Sequence, residues 1–226
     1  MKIKSFFYIA FSILISFNAL AQNKEREFKI HTLAFYNLEN LFDTINDVNK
    51  NDEASPIMEI KFNRGNIYKQ KVTNMARVIS EIGYDVTNRP PTIIGICEVE
   101  NRNVVEDLIA NEKLSKYNYG IVHYDSPDRR GIDVGLLYNK DIFKVINSNS
   151  HVLYINYNNT SDRSFTRDQL VVSGKLDGEL IHLIVNHWPS RGADETKRMA
   201  AAEVNNSIID SLRKIHNEPK IITMGD

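Results

Sequence analysis

Thr92-Ile93-Ile94-Gly95-Ile96-Cys97-Glu98 decides the reading of this chain. Five of its seven residues favour or tolerate a fully buried strand, and Pro90-Pro91 breaks the chain just before it. The run closes on a carboxylate. A carboxylate there sits at the rim of a sheet, where fixed backbone can hold it against a metal ion or a phosphate. Cys97 is the only cysteine, which excludes an intrachain disulfide. A thiol beside a carboxylate has its pKa raised, so Cys97 is read as a buried apolar residue and not as a nucleophile.

The surrounding composition is that of an ordinary globular chain. Its 226 residues are 42% hydrophobic and 25% charged, with a net charge of −1. That charge excludes gripping nucleic acid by bulk electrostatics, so any such attraction must be local. Residues 1–21 read as a signal peptide: Lys2 and Lys4, an apolar run from Phe6 to Phe17, then the cleavage pattern Ala19-Leu20-Ala21. The run is short for a bilayer, so stable membrane insertion is not expected and the protein is placed outside the cytoplasm, secreted or periplasmic. The mature chain, 22–226, then carries 26 basic and 29 acidic residues, a net charge of −3.

Upstream, Phe28 to Tyr36 reads as a strand with Ala34 and Tyr36 on one face and Leu33 and Phe35 on the other. It runs into Asn37-Leu38-Glu39-Asn40. Residues 43–64 read as a solvated loop. Tyr68, Val72, Met75, Ile79 and Ile82 mark one helix face. Asn101 is placed to cap a second helix bearing Val104, Val105 and Leu108. Further strands are expected over Tyr117–His123, Ile132–Tyr138, Val152–Tyr157, Gln169–Leu176, Leu180–Asn186 and Lys220–Met224. A long helix is expected with Ala201, Val204, Ile208 and Leu212 inward. Arg129 and Arg130 occupy a charged loop ahead of Asp133, and guanidinium groups match phosphate. Arg167-Asp168 reads as a plain surface ion pair.

Four strands thus end in Asn37, Glu98, His187 and Asp226. A repeated strand-then-polar pattern is the arrangement that places ligand contacts at one rim of an α/β fold. Oxygen donors of this kind suit Mg²⁺ or Mn²⁺ better than zinc. No Gly-rich phosphate loop, cysteine pair or G-x-S-x-G is present, which leaves nucleotide kinases, zinc proteins and serine hydrolases without support.

The set Phe35-Tyr36-Asn37-Leu38-Glu39-Asn40, Ile94-Gly95-Ile96-Cys97-Glu98-Val99-Glu100-Asn101, Arg130-Gly131-Ile132-Asp133-Val134-Gly135-Leu136-Leu137-Tyr138, Asn186-His187-Trp188-Pro189-Ser190-Arg191 and Met224-Gly225-Asp226 resembles the endonuclease/exonuclease/phosphatase superfamily, of deoxyribonuclease I type. The resemblance implies a four-layer α/β/β/α sandwich. It implies that Asn37 and Glu98 hold the divalent ion, and that His187 contacts the scissile phosphate as an imidazolium whose pKa nearby carboxylates raise. Asp226 would orient or deprotonate the attacking water. Asp133 falls where relatives place a phosphate-contacting residue, and Arg130 and Arg191 are expected to bind substrate phosphate. The implied activity is that of a metal-dependent phosphodiesterase, most simply a nuclease acting on nucleic acid as a monomer without a protein partner. The alternatives are a phospholipid or sugar-phosphate esterase and a binding protein without chemistry. The superfamily's later Ser-Asp-His ending is not in the sequence, so the domain over 22–226 is expected to lack its C-terminal part and to turn over little by itself.

Overall fold

Side chains of the Ile-rich strand enter two different cores in alternation, and this sets the layering. The computed structural model describes residues 28–156 and 162–226, so the Met1–Ala21 segment and Tyr157 lie outside the described residues. Along His31–Asp226, which forms one compact unit, strands β1 (Leu33–Leu41) and β2 (Ile93–Val99) are separated by helices α1 (Pro56–Glu59), α2 (Arg64–Glu81) and α3 (Tyr84–Thr87). Helix α4 (Arg102–Ala110) leads to β3 (Tyr119–His123), β4 (Asp133–Asn139) and β5 (Phe143–His151). A short hairpin, β6 (Ile155–Asn156) and β7 (Arg163–Ser164), precedes β8 (Gln169–Leu176) and β9 (Glu179–Asn186). Helix α5 (Glu195–Ile215) then returns the chain to β10 (Lys220–Gly225).

Two four-stranded sheets result, in the orders β1-β2-β4-β3 and β10-β9-β8-β5. Each contains one parallel pair, β1 with β2 and β9 with β10, because a helical crossover brings the chain back in the same direction. The remaining pairs are antiparallel. On β2, Ile93 and Cys97 point into the core between the sheets, beside Leu136, Leu170, Val172 and Leu183. Ile94 and Ile96 point the other way, onto Val72, Met75 and Ile79 of α2 and Val104 and Leu108 of α4. The far face of the second sheet sets Val171 and Ile184 against Ile208 of α5. Each such fully buried aliphatic side chain contributes about 1.5–3 kcal/mol. The order helix, sheet, sheet, helix is the expected four-layer sandwich.

Gly95 fixes how closely the layers meet. A Cβ there would lie 2.6 Å from Met224 Sδ and 3.2 Å from the Phe35 ring. Its absence lets β10 cross directly over β2, which brings the ends of both parallel pairs together.

Several expectations are corrected. The first strand begins at Leu33 and not at Phe28, which is 84% exposed. Residues 43–64 are not a uniformly solvated loop: Asp52 is buried and accepts the Asp47 N–H at 2.8 Å, and Ile57 joins Phe42 and Ile132 in a small core. The stretch from Val152 yields only the two-residue β6. Strand β5 went unread because it is a sheet edge with a largely polar sequence, FKVINSNSH. The Asn101 cap is present, its side-chain oxygen accepting the Val104 N–H at 3.1 Å. Among the described residues no helix is long and apolar enough to cross a membrane.

On the second sheet His182 is buried, with Nδ1 2.7 Å from Ser173 Oγ and its ring 4.7 Å from that of His216. Burial, then the neighbouring His216, holds its pKa below the ordinary value of 6.5. The unfolded chain therefore takes up this proton first, and the stability present above pH 6.5 is lost as pH falls below it. Urea denaturation between pH 7.5 and pH 5.5 should show falling stability in the wild type and a flatter profile in His182→Gln. Parallel profiles would exclude His182 as the cause.

Candidate active site

Glu98 is aimed by a defect in its own strand. It adopts φ +59°, left-handed for a residue with a Cβ, and the β2 register slips between Cys97 and Val99 on the β4 side. Strand β1 slips at the same level, between Asn37 and Leu41, with Glu39 and Asn40 at φ +50° and +56°. The two bulges lock together: the Asn40 N–H donates to Glu98 Oε2 at 3.0 Å, and the Glu39 N–H donates to Asn37 Oδ1 at 2.7 Å. Lys71 of α2 ties this segment down by donating to the carbonyls of Glu39 and Asn40.

The rim residues converge. Asn37 Nδ2 donates to Glu98 Oε1 and to Asp226 Oδ2, each at 3.0 Å, across 61 and 189 residues of chain. His187 Nε2 stands 3.5 Å from Glu98 Oε1. The His187 turn is joined to the end of β10 by the Trp188 N–H, which donates to Asp226 O at 2.9 Å. The two carboxylates share one amide donor, and oxygen donors of this kind suit a hard divalent cation. Cys97 Sγ also lies within 4.8 Å of ligand atoms of His187 and Asp226. Burial, with Glu98 and Asp226 close by, drives its pKa far up, so it remains a thiol.

His187 departs from expectation. Its ring is buried, and burial followed by the charge of Arg167 pushes its pKa down to about 4, outweighing the carboxylates of Glu98 and Asp226. It is a neutral imidazole here, not the expected imidazolium.

Arg167 is the residue that sequence reasoning misplaced. It is not half of a surface ion pair: it is buried, and its guanidinium donates to His187 O at 3.1 Å, Trp188 O at 2.7 Å and Asp128 Oδ2 at 3.3 Å. Asp168 is buried separately and accepts the Leu153 N–H at 3.2 Å. Asp128 in turn accepts the Arg130 N–H at 2.9 Å. One buried pair thus fastens the His187 turn to the arginine-bearing loop. No sequence signal distinguishes such an arginine from a solvated one.

Asp133 is not among the residues gathered around Glu98. It is 1% exposed, and both its carboxylate oxygens are engaged, one by the Ser126 N–H at 2.7 Å and one by His123 Nε2 at 3.1 Å. It anchors the loop, and both oxygens expected to meet a phosphate are engaged within the fold. Arg130 lines a cleft of about 390 Å³ with Glu98, His187, Arg129, Arg167 and Lys197. Arg191 is exposed and is not one of its lining residues, although its neighbour Ser190 is.

The sequence profile of the Endonuclease/Exonuclease/phosphatase family matches residues 32–226. A comparison with curated proteins returns no match. Among solved structures, TDP2 from Caenorhabditis elegans superposes with a TM-score of 0.53 at 17% identity, over 72% of this chain and 43% of that one. An endonuclease/exonuclease/phosphatase from Bacteroides vulgatus gives 0.50 at 19% identity, over 85% and 63%. The chain therefore spans less than two thirds of either relative, and at these identities the likeness shows the shared fold.

Arg167→Met takes the buried partner from Asp128, leaving it the half-exposed Arg130 guanidinium at 3.4 Å, and strips two carbonyls of their donor, so unfolding free energy should fall by about 3 kcal/mol. Arg167→Lys should not restore it, because a single ammonium cannot span three acceptors. A loss below 1 kcal/mol in chemical denaturation would contradict this assignment. Gly225 makes a separate demand: a Cβ there would fall 2.4 Å from the backbone oxygen of Asn186. Gly225→Ala should cost about 1–3 kcal/mol and move Asp226 away from His187. A crystal structure of the variant with the Trp188–Asp226 bond intact would contradict it.

Proposed function

Because the chain belongs to the endonuclease/exonuclease/phosphatase family, we propose that it is a divalent-metal-dependent phosphodiesterase, most simply an exported nuclease that hydrolyses nucleic-acid phosphodiester bonds by in-line attack of water. One observation carries the reading: Asn37 from the bulge of β1, Glu98 near the end of β2, His187 after β9 and Asp226 after β10 come together. An arginine-lined cleft opens beside them. Glu98, with Asn37 through its amide oxygen, would hold Mg²⁺ or Mn²⁺, which would supply charge neutralisation at the phosphate.

The residues of the chain do the rest. Asp226 is exposed, its carboxylate facing the cluster, and it orients a water or takes its proton. His187 donates an N–H to a phosphate oxygen, with its backbone held by Arg167 and its Nε2 beside Glu98. Arg130 and Arg129 attract the polyanion from the cleft wall, which reconciles an acidic protein with an anionic substrate. Met1–Ala21 serves export in the same reading.

Turnover is to be read on the protein as encoded, and ion binding on residues 22–226. Plasmid DNA should be nicked in Mg²⁺ and not in EDTA, while sphingomyelin and inositol phosphates are left intact. Glu98→Ala should abolish nicking and weaken Mn²⁺ binding measured by calorimetry. Unchanged Mn²⁺ binding would remove Glu98 from the ion site. Cleavage of lipid or inositol phosphate in place of DNA would replace the nuclease reading.

A further inference from the structure

Two aromatic side chains face solvent near the arginine-lined cleft, Phe165 in its wall and Tyr154 beside its lining residue Ile155. Tyr154 is 58% exposed and Phe165 is 40% exposed, whereas their chain neighbours Leu153, Ile155, Ser164 and Thr166 are all buried. Local alternation anchors these segments inward and turns the two rings outward. Arginines connect them. The guanidinium carbon of Arg163 lies 5.1 Å from the Tyr154 ring centre and 5.0 Å from that of Phe165, and Arg129 lies 5.6 Å from Phe165. The planar groups run in the order Tyr154, Arg163, Phe165, Arg129.

This ridge separates two clefts. Phe165 and Arg129 line the first together with Glu98, His187 and Arg167. They also line a second, of about 490 Å³, with Asn49, Lys50 and Pro127.

We propose that the ridge is a stacking subsite for unpaired nucleobases, over which a single strand passes from the Glu98–Asp226 cluster towards Lys50. The inference rests on the phosphodiesterase reading and narrows it to single-stranded nucleic acid. Rings and guanidinium planes accept the π-face of any base, while the same cations neutralise the phosphates on either side. In a duplex the base faces are already stacked on one another, so only an unpaired base engages. A sugar phosphate has no flat unsaturated face to place there.

Fluorescence anisotropy on the full chain, in EDTA so that no strand is cut, tests this with short labelled strands. The probes are oligodeoxythymidine, oligouridine, an abasic strand with the same phosphates, and a duplex. At least one base-bearing single strand should bind about 10-fold tighter than the abasic strand, and tighter than the duplex. Phe165→Ala should erase that ratio, and Phe165→Tyr should keep it. Equal affinity for base-bearing and abasic strands, duplex binding as tight as single-strand binding, or a ratio unchanged in Phe165→Ala would overturn the subsite. Hydrolysis of bis(p-nitrophenyl) phosphate in Mg²⁺, measured in parallel, reads the phosphodiesterase proposal alone. Base preference without hydrolysis sinks that proposal and leaves the subsite standing; hydrolysis without base preference does the reverse.

Discussion

Face-to-face packing of two sheets at Gly95 and Met224 is the constraint from which the candidate site follows. Without a side chain at Gly95, β10 lies over β2, and the parallel pairs β1–β2 and β9–β10 finish at a common rim. Glu98 follows Cys97 on one sheet, and Asp226 follows Gly225 on the other. The amide of Asn37 spans the two layers by reaching both carboxylates. Apolar packing supplies the energy, and the polar cluster takes its geometry from that packing.

The cluster also carries strain that the core supports. Three residues with side chains, Glu39, Asn40 and Glu98, hold left-handed backbone conformations within one pair of bulges. Such conformations cost of order 1 kcal/mol or more each. They persist because the Asn40 N–H and the Lys71 ammonium leave the segment little alternative. Regular pairing would have turned Glu98 along with Ile94 and Ile96 towards the helices.

Much of this was legible in the sequence, and the reasons it was or was not are physical. Short apolar runs such as Ile93–Cys97, and Leu180–Val185 broken only by His182, read as strands buried on both faces, and the polar residue after each run marks the rim. The capping residue Asn101 and the spacing of α2 are local signals, and both hold. What escaped depends on partners distant in sequence. Arg167 looks like any charged loop residue until Asp128 and two carbonyls surround it. Asp133 looks available until Ser126 and His123 take both its oxygens. The direction in which His187 titrates was misjudged because adjacent acids are visible in the sequence, whereas desolvation and the opposing guanidinium are not. Edge strand β5 was hidden by its polar sequence, and the buried Asp52 by the polar company it keeps.

The span of 189 residues between Asn37 and Asp226 ties chemistry to the history of the chain. Contacts so remote in sequence form late, after closer pairings have already offset much of the loop-closure entropy. A nascent or partly unravelled molecule would hold Asn37 and Glu98 near each other yet lack their third companion. The polar cluster would therefore be completed only when β10 docks beside β9, so its third member is also the first to leave when that strand frays.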